Sequence, residues 1–192
     1  MKKVSVTLKG ISTIGFSAPI TSIKPKGEGH DAFEARTWNE RVRKDGQGYI
    51  YHPSISLKNC LAEIAKFLGE TVPGKGKSTY TKHFEAGVIP GDDLQFGVKH
   101  SDVVKVSVFV PSDGKRGGGS RVWKHFPTLP AGWEADTNFY LIDPILVDKL
   151  DVVEEYLKMA GNLIGLGCHR PRNNGSWGRF QVKDFVVEDY RI

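Results

Sequence analysis

Between Gly161 and Arg179 the chain concentrates the residue types that hold an anionic polymer. Five of its 22 glycines lie here (Gly161, Gly165, Gly167, Gly175 and Gly178), threaded with His169, Arg170, Arg172, Asn173, Asn174, Trp177 and Arg179. An arginine fork matches phosphate oxygens, and glycine lets backbone amides approach them closely. The segment therefore suits a phosphate-contacting loop in which Trp177 or His169 stacks on a base. The plainer alternative is a helix-to-strand connection with capping glycines and a buried Trp177.

Other basic stretches extend this reading. Pro111 to Arg121, PSDGKRGGGSR, sets Lys115, Arg116 and Arg121 around three consecutive glycines and reads as a flexible finger or a solvated hairpin tip. Gly74 to Lys82, GKGKSTYTK, adds Lys75, Lys77 and Lys82, with Tyr80 available for stacking. Lys58, on the polar side of a predicted helix, is a further candidate contact. The run from Lys24 to Lys44 is also basic, although Glu28, Asp31, Glu34 and Glu40 offset much of its charge. A formal net charge of +5 favours nucleic acid over an acidic protein or a membrane as partner.

Several chemistries are disfavoured. Gly76, Lys77 and Ser78 imitate the end of a phosphate-binding P-loop, but the glycine required five residues before Gly76 is Thr71. Among the six histidines none pairs with a second histidine or a cysteine at ligand spacing, apart from the adjacent Cys168 and His169. No metal and no cofactor are expected. Cys60 and Cys168 read as free thiols in a reducing, cytoplasmic setting. The opening MKKVSVTLKG alternates instead of forming an apolar signal, and no 18-residue apolar run occurs, so a secreted or membrane-spanning protein is not expected.

The elements that position these residues follow from periodicity. Val4, Val6 and Leu8 alternate with polar neighbours and predict a strand. Ser54 to Leu68 predicts an amphipathic helix with Leu57, Cys60, Leu61, Ile64, Ala65 and Leu68 on one face and Gly69 as its stop. Val103 to Val110 and Thr137 to Ile142 read as strands, Asp148 to Ala160 as a second helix ended by Gly161, and Phe180 to Val187 as a closing strand. Trp38, Trp123 and Trp133 are expected as core or interface anchors. The order is that of an α+β, ferredoxin-like (RRM-like) βαββαβ core in a single domain, 1–192, with insertions at about 10–48, 70–100 and 111–135.

Three segments carry a resemblance. Tyr49 to Ala62, YIYHPSISLKNCLA, Leu129 to Ile142, LPAGWEADTNFYLI, and the glycine-rich stretch from Gly161 to Val182 together resemble the repeat-associated mysterious protein (RAMP) superfamily. Within it they are similar to backbone subunits of CRISPR effector complexes, or to a phage or mobile-element relative. The resemblance implies a non-enzymatic protein that binds single-stranded RNA or DNA, in several copies self-associated side by side along the strand. Some relatives cleave RNA without metal, using a histidine or an aspartate in the long loop before the first helix. His30 and Asp31 lie in that loop here, so an endoribonuclease is the second reading. A third is a phage interaction module that binds a protein, such as a CRISPR complex it inhibits.

Overall fold

The alternation in the first strand is realised in the computed structural model, which describes residues 1–112 and 120–191. Val4, Val6 and Leu8 are buried in β1 (Lys2–Gly10). There follow β2 (Ile14–Gly15), α1 (His30–Thr37), a 3-10 turn (Trp38–Arg41), β3 (Arg43–Lys44), β4 (Tyr49–His52) and α2 (Ile55–Leu68). The middle of the chain holds α3 (Thr81–Gly87), β5 (Val88–Pro90), β6 (Leu94–Lys99), β7 (Val104–Pro111), β8 (Arg121–Leu129) and β9 (Glu134–Leu141). The last elements are α4 (Pro144–Val147), α5 (Leu150–Leu163) and β10 (Phe180–Asp189).

The fold is mixed α+β with antiparallel sheets. The larger sheet runs β10-β1-β9-β6-β4-β3, with β5 also paired to β9. On one face Val4, Val6 and Leu8 stand opposite Phe139, Thr137 and Ala135 of β9 and Val187, Phe185 and Val182 of β10. The apolar stripes of α2 (Leu57, Cys60, Leu61, Ile64) and α5 (Val153, Leu157, Ala160) join those strands in one core. The opposite face presents Ser5, Thr7, Asp136 and Asp184, and with Asp92 and Asp93 it forms a shallow hollow of about 380 Å³. Among the described residues no helix is long and apolar enough to cross a membrane.

Three expectations need correction. Val104–Pro111 is a strand, but it pairs with β8 in a second sheet ordered β2-β8-β7. The place beside β9 is taken by β5 and β6, from a stretch read as an insertion. Period-2 alternation marks a half-buried strand without saying which sheet takes it. Strand β5 is too short to show a period, whereas Leu94, Phe96 and Val98 of β6 do alternate with Gln95, Gly97 and Lys99, a signal that sequence reasoning missed. Likewise the segment expected as a loop before the first helix contains α1, whose buried residues are Glu34 and Thr37, so it shows no apolar stripe.

The third correction concerns Gly161. The helix does not stop there but continues to Leu163. A Cβ at Gly161 would lie 2.2 Å from the Phe180 carbonyl oxygen, so this glycine lets α5 approach β10. Gly161→Ala is expected to push the helix off the strand and cost about 2 kcal/mol, as overpacking does. The urea midpoint measures this, and an unchanged midpoint would mean that α5 and β10 are not in close contact.

Candidate nucleic-acid interface

The glycine-rich loop between α5 and β10 is closed on itself. The Leu166 amide donates to the Gly178 carbonyl (2.9 Å) and the Trp177 amide to that of His169 (3.0 Å). The Cys168 amide donates to Gly15 (2.9 Å) and the Gly178 amide to Thr13 (2.6 Å), which fastens the loop to β2 and the residue before it. Gly178 sits at φ +71°, and a Cβ there would lie 1.8 Å from the Leu166 carbonyl oxygen. These amides, expected to face phosphate, are spent inside the protein. Here the glycines serve closure of the loop.

Trp177 and His169 are part of the same buttress. Their rings meet at 4.8 Å, His169 meets Phe126 of β8 at 5.0 Å, and Trp177 covers Gly15. Both remain partly exposed. Burial pushes the His169 pKa down, favouring the neutral imidazole.

The closed loop makes one wall of a groove. Ser17, His52 and Ser56 are shared by two adjoining hollows of about 230 and 350 Å³. The first is lined also by Phe16, Arg41, Arg43, Tyr51 and Ile55, the second by Asn59, Leu166, His169, Arg170 and Asn173. The start of α2 therefore faces the loop across His52. Burial, reinforced by the charges of Arg43 and Arg170 and opposed by Asp93, holds the His52 pKa down at about 4.

The three arginines of the groove are not equivalent. Arg41 donates to Glu34 (2.7 Å), whose carboxylate is 3% exposed, and its guanidinium lies 5.6 Å from the Phe126 ring centre. It is a strut that also fixes the Ala18 amide through its own carbonyl (2.7 Å). Arg170 donates to Glu63 of α2 (3.0 Å), which aims it along the groove wall. Arg43 is exposed, with no ion-pair partner among the described residues.

The expected contacts are only partly brought together. His169, Arg170 and Asn173 line the groove, and Asn174 follows at φ +59°. Arg172 is exposed in a 3-10 turn beside them, and Arg179 is exposed where its amide donates to Ser12 (3.0 Å). Lys58 lies round α2 in a different hollow, with Lys66 and Glu85. Lys75 and Lys77 sit beyond the far end of α2, roughly 20 Å of helix away. Their neighbour Tyr80, read as a stacking residue, is 4% exposed and packs on Tyr156. Arg121 is on the β7–β8 hairpin, whereas Lys115 and Arg116 lie outside the described residues.

His30 and Asp31 are the exposed opening of α1. Neither makes a side-chain hydrogen bond or ion pair among the described residues, so nothing orients a proton transfer there. Sequence reasoning missed Ser17, Tyr51, His52, Ser56 and Asn59 as members of the groove, and took in Arg43 only within the basic run from Lys24 to Lys44. For Tyr51, His52, Ser56 and Asn59 the signal was the YIYHPSISLKNCLA segment itself, in which all four fall.

No protein-family model matches the sequence, and no curated protein matches it. Solved structures match the fold. A chain in the cryo-EM structure of the Type III-B Cmr-beta bound to cognate target RNA superposes with a TM-score of 0.55 at 11% identity. The match covers 97% of this chain and 60% of that one, so the protein spans about three fifths of its neighbour's length. The crystal structure of Cmr6 from Pyrococcus furiosus matches with a TM-score of 0.49 at 12% identity, over 95% of this chain and 99% of that one. At such identities the likeness is one of fold.

His52 makes the groove sensitive to acid. The unfolded chain takes up this proton below its ordinary pKa of 6.5, the folded protein only near 4. The stability contributed by neutral His52 is therefore complete above the upper value and is lost as pH falls through the window, on the order of 3 kcal/mol. His52→Gln is expected to flatten the dependence of urea-unfolding free energy on pH across that interval. An unaltered slope would assign the acid sensitivity to another group.

Proposed function

We propose that the protein binds a single strand of nucleic acid without cleaving it, with the phosphates running through the groove between the glycine-rich loop and the start of α2. The observation that carries this reading is the convergence of Arg43 and Arg170, far apart in sequence, on either side of a half-buried neutral His52. Arg43, with no ion-pair partner among the described residues, and Arg170, held by Glu63, stand with Ser17, Ser56, Asn59 and Asn173 as hydrogen-bonding neighbours and suit a chain of phosphates. The open sheet face does not, because Asp92, Asp93, Asp136 and Asp184 would repel them.

The fold supports the same reading. The order β10-β1-β9-β5, with α2 and α5 packed in the core between them, favours a ferredoxin-like βαββαβ core. The second sheet shares that core through Ile14 and Leu129, which favours one domain over residues 1–192. The likeness to a chain of the Type III-B Cmr-beta supports a RAMP-like relationship, and the target RNA bound there makes RNA the first strand to test. Side-by-side assembly of several copies along the strand is part of the proposal.

Fluorescence anisotropy with labelled single-stranded RNA at two salt concentrations is the test. Arg43→Ala combined with Arg170→Ala and Glu63→Ala, the last so that no unpaired carboxylate remains, is expected to weaken binding by about tenfold or more. The salt dependence should also become shallower, by about one in log-log slope for each phosphate that the variant no longer neutralises. A folded variant with wild-type affinity would refute the groove.

A further inference from the structure

The β7–β8 hairpin carries a feature that the groove does not use. Cross-strand register places Phe109 opposite Trp123, Pro111 opposite Arg121 and Ser107 opposite His125. Alternation puts these on one face, with Val106, Val108, Val110 and Val122 on the other. Phe109 is 46% exposed and Trp123 50% exposed, and their rings meet at 5.1 Å with planes 43° apart. Trp123, expected as a core or interface anchor, is therefore no part of the core and among the described residues meets the Phe109 ring.

Among the described residues the charge beside the pair is cationic. The Arg121 guanidinium lies 6.0 Å from the Phe109 ring, and Lys105 shares that face farther along the strand, beside Trp38, whereas Lys124, opposite Val108, is on the other face. The described hairpin residues include no aspartate or glutamate. Two large aromatic rings held in water forgo the burial that normally drives such side chains inward, and so they favour a flat apolar partner. The Arg121 guanidinium beside them favours one that is also anionic. Unpaired nucleobases on a phosphate chain meet both requirements, because every base offers a π face and every nucleotide a charge. Bases paired in a duplex are already stacked and offer no such face.

We propose that Phe109 and Trp123 form a stacking platform for unpaired bases of the strand whose phosphates occupy the groove. This rests on the groove reading and goes beyond it, since it makes base faces part of the ligand. Specificity for single strands over duplex then comes from the hairpin, and the phosphate groove supplies affinity.

Three ligands of equal length separate the two claims: single-stranded RNA, an abasic single strand with the same phosphates, and duplex RNA. The wild-type protein is expected to bind the base-bearing strand about tenfold or more tighter than the abasic strand. Phe109→Ala with Trp123→Ala should bind both alike, at the wild-type abasic affinity. Trp123→Phe keeps a ring and should retain most of the preference, while losing the part of the tryptophan fluorescence that the strand quenches. Equal wild-type affinity for base-bearing and abasic strands would overturn the platform and leave the groove standing. Failure to bind any of the three would overturn both. A double alanine variant that binds RNA normally but scatters light as a smaller species would assign the pair to a protein contact and overturn the proposal.

Discussion

The groove depends on one seam, where residues 13–16 are bonded to both halves of the molecule. On one side the Thr13 and Gly15 carbonyls accept the amides of Gly178 and Cys168, which belong to the loop leading into the larger sheet. On the other, Ile14 and Gly15 pair with Leu129 and Thr128 of β8, and the Phe16 amide donates to Pro127 (3.0 Å). Phe16, 1% exposed, then packs against Phe96 at 5.4 Å and His52 at 5.9 Å. A short strand thus sets the small sheet, the loop and the floor of the groove at fixed distances from one another. Such a seam leaves little room for side chains, which is why Gly15 and Gly167 face each other across it.

Charge is divided between surfaces in a way that the net value conceals. Carboxylates gather on the open sheet face, while Arg43 and Arg170 border the groove and Lys105, Arg121 and Lys124 lie on the hairpin. Charges farther apart than a Debye length of about 10 Å are largely screened from one another, so each surface presents its own local sign. Arg41 shows the complementary use of charge. Paired with a buried Glu34, it has its charge partly neutralised within the fold and contributes chiefly architecture.

What the sequence disclosed follows from how local each cause is. The stripe of Leu57, Cys60, Leu61 and Ile64 defined α2 to within a residue, because a 3.6-residue period needs only one helix to appear. Helix α1 left no such trace, since its inward side is held by Glu34 and Thr37. The glycine-rich segment was visible as composition, but the demand on Gly178 comes from the Leu166 carbonyl, a contact that exists only after the loop folds back. Arg170 was visible as a cation, whereas its tie to Glu63 spans 107 residues of sequence. The groove draws on residues near 17, 43, 51–59 and 166–173, and only the topology brings those segments together.

The central claim is where the strand lies, and photo-crosslinking tests it most directly. A single-stranded RNA bearing 4-thiouridine along its length, bound to the intact protein, irradiated and mapped by mass spectrometry, reports the residues beside it. The account predicts crosslinks in the peptides containing Tyr51, His52 and Asn59 and in that spanning His169 to Asn173. Crosslinks concentrated on the sheet face, at Ser5, Thr7, Asp136 or Asp184, with the groove peptides unmodified, would contradict it.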